Sequence, residues 1–194
     1  MSHSEADGLQ MRKRRATAAR IAASAARLAG ENGLAGATVE QIAADAEVAR
    51  ATFFRYYATK ESAVAEGITG PWLELITEAI SRQPPHVPAF EAIIAAFDEL
   101  AEGFVPHLPR IDELTRLTRS SATLDAWTLH AYRRYEHAIA EAIAARFPDP
   151  SPDDMRPRVT AALTMAAVRI ALENWTAHGG SLPVLIRQAL AARP

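Results

Sequence analysis

No cysteine occurs in the 194 residues, which removes disulfides, thiolate metal sites and cysteine nucleophiles together. Glycine is scarce, at nine residues, and no long β-branched or alternating run exists, so sheet has little to build on. Long apolar runs are missing as well. A stretch such as residues 92–97 (AIIAAF) is far too short to cross a bilayer, and the opening MSHSEADGLQMRKRR lacks the apolar centre of a signal peptide. A soluble, cytoplasmic chain with no membrane partner is therefore expected. Equally absent are a glycine-rich phosphate loop, a serine elbow and a paired-carboxylate motif, so no enzyme and no cofactor is expected. Asp153 and Asp154 read more simply as helix-start chemistry. His130 and His137 lie seven apart, too far for the i, i+4 geometry of a helical zinc pair, and no third ligand stands at a persuasive spacing, so no metal is expected.

What is present points to helix. Hydrophobic residues make up 49% of the chain and alanine dominates them, which gives an all-α class with enough apolar material for a real core. Charge is unevenly placed. Residues 1–60 carry nine Lys/Arg against six Asp/Glu, and the remainder carries twelve against seventeen. A basic head on an acidic body suits a protein whose head meets phosphate while its body does not.

In chain order, a polar stretch of ten residues, expected to be mobile, precedes Arg12, Lys13, Arg14, Arg15 and Arg20. These lead into a helix whose apolar positions Ala18, Ile21, Ala25, Leu28 and Ala29 recur at helical spacing and which ends at Asn32-Gly33, with Gly33 suited to a left-handed cap. Thr38 and Gln41 then form a T-x-x-Q capping box opening a short helix that buries Val39, Ile42, Ala43 and Ala46. After a turn at residues 45–47, Val48 reads as a core plug, with Phe53 and Tyr57 (i, i+4) as the buried face of a second short helix.

That leaves Ala49, Arg50, Ala51, Thr52, Phe54, Arg55 and Tyr56 outward. Small residues at the start of such a helix let it enter a major groove. Arg50 can offer a bidentate fork to guanine, and Arg55 can reach a base or a phosphate. The Tyr56 hydroxyl can meet phosphate and Lys60 can add charge. Thr59 caps the helix that Lys60 opens. Arg14 and Arg15 complete a phosphate-contacting arm.

These residues resemble the DNA-binding head of the tetracycline-repressor (TetR) family of transcriptional regulators. The family pattern of a capping Thr, I-A, A-G-V, T-x-Y-x-x-F and K meets Thr38, Ile42-Ala43, Ala46-Glu47-Val48, residues 52–57 (TFFRYY) and Lys60. The match covers roughly the first third of the chain. Two positions depart from it. Glu47 replaces the turn glycine, which predicts a remodelled turn, and Phe54 replaces a phosphate-contacting tyrosine, which shifts that bond to Tyr56. The resemblance implies an arm and helix-turn-helix domain over residues 1–60 and a helical regulatory and dimerisation domain over residues 61–194. It also implies a homodimer on near-palindromic double-stranded DNA and a small-molecule effector that releases a repressor.

Downstream, a helix from Ser62 to about Ser81 carries Pro71, which should kink or split it. Further helices are expected over residues 89–103, around Ile111, Leu114 and Leu117, over 123–147, over 154–178 and from Leu182 onward. The helix over 154–178 bears two apolar stripes, one of Ala161, Met165, Val168, Leu172 and Trp175, the other of Val159, Leu163, Ala166 and Ile170. One stripe fits the chain's own core and the other a partner. Ala161, Val168, Leu172, Trp175, Leu182, Leu185 and Ile186 are taken as dimer contacts across a four-helix bundle. Trp72, Phe97, Phe104, Leu117, Trp127 and Met165 are candidates to line a ligand cavity, with Arg169 as the charged group among apolar neighbours. A different class, a helical protein-interaction module with a degenerate DNA-binding head, rests on Glu47 and Phe54 alone.

Overall fold

A computed structural model of the chain describes residues 2–109, 111–112, 115, 122–148, 151 and 153–192, with side chains for all of these except 2–7, 104, 107 and 122–127. Among the described residues there are eight α-helices and no strand. They are α1 (Ser2–Gly36), α2 (Val39–Asp45), α3 (Arg50–Tyr56), α4 (Lys60–Arg82), α5 (Ala89–Phe104), α6 (Ala122–Ile143), α7 (Arg156–His178) and α8 (Leu182–Ala191). The chain divides into two compact units, Met1–Gly70 and Pro71–Pro194.

The N-terminal unit closes around a small core. Ile21, Ala25, Ala29, Ala37, Ile42, Ala43, Ala46 and Phe53 pack with Ala63 and Val64, so α1, α2, α3 and the start of α4 all contribute. Ile21, Ile42 and Phe53 are fully buried, as their spacing predicts. α1 reaches back to Ser2, where a mobile polar tail was expected, and it is interrupted at Gly33 by φ +72°. α1 and α4 cross at very close range at Gly67. A Cβ there would stand 2.0 Å from the Ala22 carbonyl oxygen and 2.8 Å from Ala26 Cβ, so only glycine permits this approach.

α4 continues through Pro71 without a break. Proline normally drives the preceding residue out of the helical region by clashing with its Cβ, and here that residue is Gly70, which has none. Of the kink or split expected from sequence, the split does not occur.

The second unit has two adjoining cores. In the first, Ile76, Ala79 and Ile80 of α4 meet Ile93 and Ala96 of α5, Ile139, Ala140 and Ile143 of α6, and Ala161 and Met165 of α7. In the second, Ala171 of α7 meets Leu182, Ile186 and Leu190 of α8, with Phe90, Ile94 and Phe97 of α5 packed against them. The Arg146 guanidinium locks the end of α4, donating to the carbonyls of Ile80 (2.8 Å), Gln83 (2.8 Å), Pro84 (2.7 Å) and Val87 (3.2 Å). Those carbonyls are what a helix end and a proline-rich connector leave without intrahelical donors.

This packing takes Ala161, Leu182 and Ile186 out of the expected dimer contacts. Ala161, Leu182 and Ile186 are buried inside the protomer, and Val168, Leu172, Trp175 and Leu185 pack against the same cores, so this stripe is not the free one. The exposed stripe is the other: Val159, Leu163 and Ile170 are each more than half exposed, and Val184 of α8 is nearly so. α6 and α8 both pack on α7 and take one apolar side of it.

Candidate nucleic-acid interface

The geometry of the head begins with its caps. The Gln41 backbone N–H donates to Thr38 Oγ1 at 3.2 Å, and the Thr38 N–H donates to Gln41 Oε1 at 2.9 Å, completing the capping box that fixes the start of α2. Thr38 is therefore occupied by the cap itself. At the other end of α2, Glu47 takes a left-handed conformation (φ +53°). Its N–H donates to Ala44 O at 3.1 Å and that of Val48 to Ala43 O at 2.9 Å. This is a Schellman closure, in which the left-handed residue ordinarily is glycine. The turn is not remodelled. Glu47 adopts the glycine geometry and projects an exposed carboxylate, so its departure from the family pattern lies in its charge and not in the path of the turn.

α3 follows as a seven-residue helix with Phe53 fully buried on its inner side. The Tyr57 hydroxyl donates to Ala18 O at 3.0 Å and ties the end of α3 to α1. Ala49, Arg50, Ala51, Phe54 and Arg55 are exposed, while Thr52 and Tyr56 are half-buried. Arg50 has defined surroundings. Its Nε donates to Glu40 Oε1 at 2.7 Å, and its guanidinium carbon lies 5.0 Å from the centre of the Phe54 ring. The Arg55 guanidinium lies 5.9 Å from the Tyr56 ring centre.

Lys60 is placed differently from the sequence reading. Its ammonium donates to Leu34 O at 2.7 Å and Ala37 O at 2.8 Å, with Ala35 O at 3.5 Å. An ammonium has three donors, and all three point at carbonyls in the last turn of α1 and just beyond it. Lys60 holds the head together. Arg27 does related work, since its guanidinium bonds Glu31 on α1 and Asp45 on α2. That pairing, with a further bond from Ser24, holds the Asp45 carboxyl below its ordinary range.

Arg12, Lys13, Arg14 and Arg15 are exposed, and no carboxylate among the described residues pairs with them. Exposed free cations on a helical arm, next to a short helix with a small-residue start and an arginine-bearing face, form a surface suited to duplex DNA.

Comparison with known proteins decides the family. Residues 21–66 match the model for bacterial regulatory proteins of the tetR family, and residues 85–192 match that of the MftR C-terminal domain. The chain belongs to the TetR family. It is thus a DNA-binding transcriptional regulator with an N-terminal helix-turn-helix unit and a C-terminal helical unit. It is similar to the HTH-type transcriptional regulator TcmR of Streptomyces glaucescens, at 31% identity over 87% of this chain and 76% of the relative. Among solved structures it is similar to FadR of Thermus thermophilus, a TetR-family transcriptional repressor solved with lauroyl-CoA. That likeness has a TM-score of 0.63 at 21% identity and covers 89% of this chain and 90% of the other, so it concerns the fold.

Of the residues expected to line a ligand cavity, Trp72 and Met165 are almost fully buried and Phe97 is half-buried. Leu117 lies outside the described residues, as do the side chains of Phe104 and Trp127. Arg169 is no buried charge. It is exposed and pairs with Glu173 one turn on at 2.7 Å. The i, i+4 position of that carboxylate was visible in the sequence and is the signal that accounts for Arg169. Arg146 and Glu40 carried no comparable local signal, because their partners come from distant segments. His130 and His137 are exposed, and no metal-binding cluster exists among the described residues.

Proposed function

We propose that this regulator reads a near-palindromic operator as a homodimer, with α3 of each protomer in a major groove, and that a small-molecule effector releases it as a repressor. The observation that carries this reading is the outward face of α3, where Ala49 and Ala51 let the backbone approach and Arg50 and Arg55 stand exposed. Phe54 supplies an apolar surface for a sugar or thymine methyl, Tyr56 and Thr52 flank it, and Arg14 and Arg15 contact phosphate. Thr38 and Lys60 act through the shape of the head. Residues 1–60 serve DNA and residues 61–194 serve effector binding and dimerisation.

The dimer face is the exposed stripe of α7, Val159, Leu163 and Ile170, with Val184 of α8. Two such pairs of helices would bury these side chains against each other in a four-helix bundle. The effector reading draws on the lauroyl-CoA of the Thermus relative and on apolar groups such as Trp72, Phe97 and Met165, which favour a molecule with a long apolar part. Release requires the effector to bind the DNA-incompetent state more tightly; equal affinity for both states shifts nothing.

The test is a gel-shift titration of the full chain on the promoter DNA beside its own gene, repeated for Arg50→Ala. Selective binding that loses discrimination at one position per half-site in the variant, by about 1–3 kcal/mol, supports the reading. A uniform loss across all sequences would instead confine Arg50 to phosphate.

A further inference from the structure

We propose that Glu40 is a positioning residue for Arg50, fixing its guanidinium so that the two terminal nitrogens are presented together to a guanine. The proposal rests on the reading of α3 as the helix that enters the groove. A bidentate pair with guanine O6 and N7 uses two of the guanidinium's N–H groups in one plane. The Nε–H faces away from the fork, and this is the group that Glu40 engages, at 2.7 Å. The terminal nitrogens are left for DNA, and the Phe54 ring, 5.0 Å from the guanidinium carbon, limits rotation from a second direction. Two restraints of different kind on a long side chain reduce the rotamers it must lose when it docks.

Glu40 is suited to remain a carboxylate. It sits in the first turn of α2, where the positive end of the helix favours a negative charge. Its carboxyl is held below the ordinary range chiefly by its own backbone N–H, and next by Arg50. The pair spans ten residues and joins the openings of α2 and α3.

Orientation and simple electrostatics predict opposite effects of removing this carboxylate. An acidic group beside DNA repels phosphate, so on charge alone Glu40→Ala strengthens binding equally on every sequence. If Glu40 orients Arg50, the same change weakens selectivity at the base that Arg50 reads.

The experiment titrates the full chain, Glu40→Ala, Glu40→Gln and Arg50→Ala against the operator and against operators substituted at each half-site position in turn, over a range of salt. For Glu40→Ala the expected result is a loss of discrimination of roughly 5-fold or more at one position per half-site, the position that Arg50→Ala also relaxes. The salt slope should stay unchanged. Glu40→Gln should keep most of the discrimination, because its amide oxygen still accepts from Nε. Undiminished discrimination by Glu40→Ala at every position, or a uniform gain in affinity, overturns the role of Glu40. If Arg50→Ala also leaves every position intact, Arg50 reads no base, and that assignment fails together with this proposal.

Discussion

Lys60 illustrates how a residue's role follows from what surrounds it. A lysine at the opening of a helix beside a helix-turn-helix reads as a phosphate contact, yet its ammonium is taken up by the carbonyls of Leu34, Ala35 and Ala37. Lys60→Met should destabilise the folded head by about 1.5–3 kcal/mol, the range for a hydrogen bond to a charged group. The salt slope of DNA binding should stay the same, whereas Arg14→Ala should lower that slope by about 0.9, one phosphate contact. Thermal melts and salt titrations of the two variants separate these effects. Glu47 carries the opposite kind of prediction. Holding a side chain at φ +53° is unfavourable, so Glu47→Gly should stabilise the protein by about 1 kcal/mol, measured by denaturant midpoint at constant slope. Asp45 adds a pH dependence. Its folded value is depressed, so its contribution is present above the ordinary carboxylate range and is lost as pH falls through the folded value. Asp45→Asn should therefore flatten the acid limb of the head's stability profile.

At the scale of elements, the sequence was most legible where the signal is local. The Thr38–Gln41 capping box, the positive φ at Gly33 and the burial of Phe53 each depend on residues within a turn or two, and the structure shows all three. α7 marks where that legibility stops. Its two stripes are both apolar at helical spacing, and periodicity cannot say which one meets α6 and α8. The choice depends on helices tens of residues away, which is why the first stripe proved to be core. Arg146 and Lys60 were unreadable for the same reason: a carbonyl offers no residue-type signal, so a side chain that binds carbonyls leaves no pattern. The α1–α4 crossing gives a test of packing. Gly67→Ala places a methyl within 2.0 Å of Ala22 O, and because that neighbour is backbone the helices must separate. A loss of about 1–3 kcal/mol in head stability is expected, measured by denaturation.

At the scale of the whole molecule, the proposed dimer rests on the apolar stripe of Val159, Leu163 and Ile170, which is exposed in the protomer. Leu163→Arg combined with Ile170→Arg should yield a folded monomer, since both side chains are exposed in the protomer. Sedimentation should show halved mass, with unchanged helical content by circular dichroism, and operator affinity should fall because each head then binds alone. The central claim is that the chain is a dimeric reader of a specific operator, and footprinting on the DNA beside its own gene tests it most directly. The account predicts salt-sensitive protection of two related half-sites about 34 Å apart, or a multiple of that distance, weakened by Arg50→Ala. Protection indifferent to sequence, or none at low salt, would contradict it.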